Sequence, residues 1–235
     1  MFSAHGPSLR ELTVQALSSV ERGYDLLAPK FDHTPFRTPE GILEATAEAL
    51  DEYGPFGDGL DVCCGTGAGL LVARAMCTGS ITGVDFSSGM IGQARRAYPD
   101  ANFVRADVRA MPFREGFDLA VSFGAFGHFL PEERPALFEG VYRALRPGGL
   151  FAFAISDPPP VTTLAHWVLL GFDGVMRVRN AVWKPPFVMY YRTTPIAAMT
   201  KDLQAAGFTV TTEPLDAMGH RRDGTPHFWL ALARK

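Results

Sequence analysis

The run Asp61-Val62-Cys63-Cys64-Gly65-Thr66-Gly67-Ala68-Gly69 constrains this chain more than any other feature. A short apolar stretch, GLDVCC at 59–64, enters a turn with glycines at 65, 67 and 69, and a helical pattern follows over 68–77. Glycines permit positive φ and let a ligand approach the main chain. The helix start behind them offers free N–H groups and a partial positive charge. A tight strand-to-helix turn with no ligand is the plainer alternative.

The rest of the pattern supplies a sheet for that turn. Strands are predicted at 80–85, 102–107, 117–123 and 150–156, with helices ending near Tyr98-Pro99 and spanning 131–146. The Arg146-Pro147-Gly148-Gly149 run is read as a break that stops the second of these. Such alternation predicts a doubly wound, mostly parallel α/β sheet. A helix from Thr194-Pro195 to Gly207 precedes strands 208–214 and 227–233, which read as an antiparallel pair at one edge. Two helices, 8–27 and 38–52, form an N-terminal helical cap over residues 1–55, with Thr38 as a cap and Pro39 in the first turn of the second. Residues 157–193, rich in Pro and aromatics, are an insertion after the fifth strand and a probable substrate lid on a single domain of 1–235.

With 47% hydrophobic and 20% charged residues, 235 residues can bury a core without disulfides or metals. The net charge of −3 argues against nucleic acid or an anionic membrane as partner. Three cysteines, two of them adjacent, make neither a disulfide framework nor a zinc spacing, so no metal is expected. A reducing compartment and the lack of a signal-peptide pattern at the N-terminus predict a cytoplasmic location.

The turn does not fit phosphates. A dinucleotide fingerprint starting at Gly65 needs glycine at 70, where Leu70 stands, and no Lys-Ser or Lys-Thr follows for a phosphate loop. It suits a nucleoside carrying a carboxylate. Asp85 ends the second strand, where a carboxylate can accept both hydroxyls of a ribose, and Ser87 can cap the next helix. Asp107 closes the third strand and can accept from an exocyclic adenine amine, with the Val108 N–H beside it. The end of 117–123 should lie near the reacting centre.

In order and spacing these residues, with Leu145-Arg146-Pro147-Gly148-Gly149, resemble the class I S-adenosylmethionine-dependent methyltransferases. The resemblance implies a Rossmann-like seven-stranded sheet of order 3-2-1-4-5-7-6 with the last strand antiparallel, and S-adenosylmethionine across its carboxyl edge. It implies a cofactor set of Asp61, Cys63, Gly65, Gly67, Asp85, Phe86, Met90, Asp107, Val108, Ser122 and Phe123, with ribose on Asp85 and the methionyl part on the Gly65–Gly67 turn. Cys63 departs from the family's usual glycine and should narrow the turn; Cys63 and Cys64 are read as packed thiols. The stretch Tyr24–Asp32 resembles the covering helix of small-molecule methyltransferases, with Tyr24 over the cofactor, although Leu26-Leu27 departs from the quinone-precursor enzymes.

Methyl transfer from a sulfonium needs alignment and desolvation, and a base only where the acceptor loses a proton. His128 is the candidate base. The insertion's His166, Trp167, Phe172, Met176, Trp183, Phe187, Met189, Tyr190 and Tyr191 can line an apolar acceptor pocket, with the packing of a lid helix as the plainer reading. Ser156-Asp157-Pro158-Pro159-Pro160 is rejected as an adenine-methylating motif, because it follows the fifth strand and ends in Pro160. The expectation is methyl transfer to a small apolar or aromatic acceptor by a monomer or homodimer. A nicotinamide-dependent oxidoreductase and a non-catalytic adenosylmethionine-binding protein are the alternatives.

Overall fold

A computed structural model describes residues 6–34, 36–184, 187–189 and 194–235. In chain order the helices are α1 (Leu9–Ala16), α2 (Val20–Leu27), α3 (Glu40–Leu50), α4 (Ala68–Met76), α5 (Ser88–Ala97), α6 (Arg134–Ala144), α7 (Leu164–Val182) and α8 (Ile196–Ala205). The strands are β1 (Gly59–Val62), β2 (Ile81–Asp85), β3 (Asn102–Arg105), β4 (Phe117–Val121), β5 (Leu145–Ile155), β6 (Thr209–Pro214) and β7 (Trp229–Arg234). They form one sheet of order β3-β2-β1-β4-β5-β7-β6. β7 runs antiparallel between β5 and β6, and the other neighbours are parallel.

Both faces of the sheet are covered, so the central strands read as apolar runs rather than as alternation. Leu60, Val62, Phe151 and Phe153 pack with Leu137, Phe138 and Val141 of α6 and Met199 and Leu203 of α8. Leu119, Val121, Leu150 and Ala152 face the other way, onto Leu43 and Leu50 of α3 and Val72 and Met76 of α4. The parallel register brings the ends of β1 and β2 side by side, with Asp61 opposite Gly83 and Val62 opposite Val84.

Three local expectations are corrected. The pattern over 8–27 forms two helices, because the Ser19 hydroxyl accepts from the Arg22 amide and starts α2 anew. Thr38 does not cap α3: the N-cap is Pro39 without a side-chain bond, and Thr38 lines the cavities described below. The Arg146–Gly149 run does not stop α6, which already ends at Ala144. It lies inside β5 as a bulge between the Phe117–Leu145 and Leu119–Leu150 pairs, with Gly148 at φ +81°. There Arg146 bonds to Asp58 and Asp118, tying β5 to the amino ends of β1 and β4, the edge opposite the Gly-rich turn.

One close contact lies at the turn. A Cβ on Gly69 would stand 2.4 Å from Asp61 Oδ1. Asp61 is buried and held on β1. Gly69→Ala is expected to destabilise by about 1–3 kcal/mol, the usual cost of overpacking, read as a lower urea midpoint at unchanged slope. An unchanged midpoint would show that Asp61 yields.

Candidate functional site

The turn after β1 alternates backbone hand. Cys63 (φ 59°), Gly65 (52°) and Gly67 (102°) are all left-handed. Of the two left-handed glycines, Gly67 is close-packed, where a Cβ would meet Tyr98 at 2.6 Å; beside Gly65 the space is open. Cys63 holds a conformation that costs a side-chain-bearing residue roughly 1–2 kcal/mol, which is the physical sense of the glycine usual there. Its thiol is driven up by burial and then by the Asp85 charge, so it is neither a thiolate nor a nucleophile.

Two carboxylates flank this turn. Asp85 accepts from the Gly65 amide and the Ser87 amide, each at 2.9 Å. Burial outweighs these bonds and raises its pKa to about 6. Asp61 is pushed up by burial and by Asp85, against the Leu70 amide. Its Oδ2 is buried without a hydrogen-bond partner. No side chain caps α4. An orphaned acceptor, two crowded negative groups and uncapped helix amides match a ligand with a cationic amine, a carboxylate and a ribose. Those are the parts of S-adenosylmethionine, so the residues present fit it.

A cavity of about 90 Å³ lies here, lined by Tyr24, Cys63, Gly65, Asp85, Phe86, Met90, Phe123 and His128 among others. Other expected site residues stand apart from its walls. Asp61 and Gly67 form the buried base of the turn. The Ser122 hydroxyl is buried and donates to the Val62 carbonyl at 2.8 Å. Val108 packs in the core. Asp107 is half-exposed, and its pKa is lowered by Arg109, whose Nε lies 2.9 Å from Oδ1.

A second cavity of about 770 Å³ adjoins the first, within the size range of small-molecule sites. Phe126, Phe129, Ile155, Met189 and Met199 supply apolar wall, while Arg134, His166, Asp173 and Arg177 supply polar groups. Arg134 is engaged by Asp202 (2.8 Å) and Thr194 (2.9 Å). The expected aromatic lining is corrected here. Among the described residues of that set only His166 and Met189 reach this wall. Met176 and Phe187 are buried, while Trp167 on α7 and Trp183 just after it are exposed. Tyr190 and Tyr191 lie outside the described residues.

Tyr24, Phe31, Phe36, Thr38, Phe123 and His128 line both cavities. At this shared wall the Tyr24 hydroxyl and His128 Nε2 are 2.7 Å apart, and His128 Nδ1 is 2.9 Å from the Val188 carbonyl. A carbonyl only accepts, so Nδ1 carries the proton and Nε2 accepts from Tyr24. Burial lowers the His128 pKa below its ordinary value, which keeps the ring neutral at pH 7.

Two contacts of the N-terminal cap went unread in the sequence. Asp25 accepts from the Ser87 hydroxyl (2.6 Å) and the Gly89 amide (2.8 Å) at the start of α5. Asp32 accepts from the Thr66 hydroxyl (2.7 Å) on the Gly-rich turn. Asp25 and Asp32 both follow Tyr24 in sequence, but nothing local marks them as latches.

The comparisons with known proteins agree with this geometry. A family model described as a methyltransferase domain matches residues 60–149. An uncharacterized methyltransferase of Synechocystis is 32% identical over 162 residues, 68% of this chain and 70% of that protein. A probable phthiotriol/phenolphthiotriol dimycocerosates methyltransferase of Mycobacterium ulcerans is 38% identical over 112 residues, 46% of this chain. The chain thus spans about 42% of that second relative's length. A complex of DhpI with SAH superposes with TM-score 0.65 at 21% identity, covering 97% of this chain and 98% of that one, which is a likeness of fold.

Asp25→Ala removes the acceptor that holds α2 on α5. Losing hydrogen bonds to a charged group costs about 1.5–3 kcal/mol, so amide exchange in α2 is expected to quicken tenfold or more. The amides of β1 and β4 should keep their protection. Equal exchange in variant and wild type would show that Asp25 does not hold the cap.

Proposed function

The chain belongs to the class I S-adenosylmethionine-dependent methyltransferases, and on that premise we propose that it methylates a small, apolar or aromatic hydroxyl compound seated in the larger cavity. The observation that carries this reading is the Tyr24–His128 hydrogen bond at the wall shared by the two cavities. When bound, S-adenosylmethionine supplies a methyl group on a sulfonium, already activated toward in-line displacement. The protein's part is to orient the acceptor, exclude water and take up a proton.

In this reading Asp85 accepts the ribose hydroxyls, and the Gly65–Gly67 turn with Asp61 and the first amides of α4 holds the methionyl end. Phe86 and Met90 border the adenosyl part. Asp107 keeps lone pairs for an adenine amine beside its Arg109 bonds. Tyr24 then receives the acceptor's proton as it passes its own to His128 Nε2, whose ring is held neutral by burial and oriented by the Val188 carbonyl. The mostly apolar wall favours an acceptor with an apolar body. The mycobacterial relative, whose name gives a phthiotriol dimycocerosate as what is methylated, supports the same choice.

Asp85 gives a pH test of the cofactor site. Its pKa of about 6 lies above the ordinary carboxylate value, so the carboxylate needed by a ribose is complete only above that pH. Affinity for S-adenosylhomocysteine is expected to be flat above pH 7 and to fall as pH drops through about 6. Asp85→Asn should weaken it tenfold or more at pH 7.5, about 1.4 kcal/mol, and flatten the profile. Calorimetry showing a wild-type Kd constant from pH 5 to 8 would remove Asp85 from the ribose.

Labelled-methyl transfer to a panel of phenols and long-chain alcohols tests the reaction itself. His128→Ala is expected to lower kcat by about 10²–10⁴ with S-adenosylhomocysteine affinity kept. The wild-type rate should rise with pH to a plateau reached below the ordinary histidine range, and the variant should lack that limb. Turnover within threefold of wild type in His128→Ala would sink the proton-transfer role.

A further inference from the structure

Helix α7 turns two faces in opposite directions. One is turned inward, with Met176 and Asp173 buried and Asp173 on the wall of the larger cavity. The other is apolar and exposed. Leu164, Val168, Val175, Val178 and Val182 are between 60% and 79% exposed, and Gly171 stands exposed in the same row. Their spacing of four, three, four, three, four is the repeat of a coiled-coil seam. At 100° per residue it confines them to a stripe about 80° wide. No charged side chain falls in the stripe, and the helix's only carboxylate, Asp173, is on the buried side. Surface helices put polar residues outward, and a helix apolar all round is ordinarily covered all round.

The row is symmetric about residue 173. Leu164 and Val182 each lie nine residues from that midpoint, Val168 and Val178 five, and Gly171 and Val175 two. We propose that α7 packs antiparallel against the α7 of a second copy of this chain, across a two-fold axis at the level of residue 173. Such an isologous contact requires a self-complementary patch, and this row is one. Leu164 meets the partner's Val182, Val168 meets the partner's Val178, and Gly171 meets the partner's Val175. A Cβ on Gly171 would touch nothing within 4 Å, so the centre of the seam has room for the partner's Val175.

The row is also long enough for such a contact: from Leu164 to Val182 it runs the whole of α7, about 27 Å at 1.5 Å per residue. A lipid surface fits less well. Helices that lie on membranes turn a Lys- and Arg-rich face outward, whereas here the face opposite the stripe is packed inward, and an Arg179 amino group is spent on the Ser18 carbonyl at 3.0 Å.

Sedimentation equilibrium tests this. The wild type is expected at twice 25.6 kDa from about 5 to 100 µM. Val168→Asp with Val178→Asp sets acid against acid across the seam and should give a monomer with unchanged circular dichroism, since both positions are exposed. In an independent test, Val168→Cys with Val178→Cys should give a covalent dimer on oxidation that reductant reverses, while the wild type, with only its three native cysteines, does not. A wild-type monomer throughout that range overturns the proposal, as does a dimer that survives the Asp substitutions or a cysteine pair that fails to cross-link. Binding of monomeric wild type to anionic vesicles, lost in the Asp variant, would overturn it in favour of lipid.

Discussion

The structure turns on two carboxylates kept out of water at the ends of adjacent parallel strands. Burial raises the proton affinity of both, the Asp85 charge adds to that of Asp61, and the Asp25 charge adds to that of Asp85. A buried charge is tolerated only where donors answer it. Here the donors are backbone amides, from Gly65 and Ser87 on Asp85. The turn therefore cannot relax without leaving a buried charge unanswered. The linkage has a definite sign. The folded pKa of Asp85 lies above its ordinary value, so its contribution to stability is complete at low pH and is lost as pH rises through about 6, on the order of 3 kcal/mol. At neutral pH the ligand-free chain carries that cost in its binding site, and hydroxyl donors from a ribose would offset part of it.

The N-terminal cap answers the same constraint from above. Asp25 and Asp32 bond to the two polypeptide turns that flank the carboxylates, at Ser87–Gly89 and Thr66. The cap borders the smaller cavity through Tyr24, Phe31 and Phe36. Each latch joins a carboxylate to a hydroxyl or an amide.

The strand–helix alternation, the edge antiparallel pair and the position of Asp85 were legible because they depend on local periodicity and on a turn whose glycines leave few alternatives, whereas the strand order followed only from the family resemblance. The same local logic failed at Arg146–Gly149. Proline and two glycines ordinarily end an element, yet here they form a bulge that Arg146 anchors to Asp58 and Asp118, partners 88 and 28 residues away. Thr38 likewise had a capping residue's place but faces a cavity, since whether a hydroxyl caps depends on the backbone entering the helix. Tyr24 and His128 were each legible as candidates, but their 2.7 Å contact spans 104 residues, and no spacing rule reaches that far. The family match sets aside the nicotinamide alternative, in keeping with the Leu70 mismatch in the turn.

The outward turn of Trp167 and Trp183 was the least legible feature, and its reason is geometric. Composition shows that the insertion is aromatic but not which side of a helix each ring takes. On α7 the inward positions are held by Met176 and Asp173, and the apolar surplus is left outside. The N-terminal cap stands at the other wall, where its Tyr24, Phe31 and Phe36 border both cavities at once.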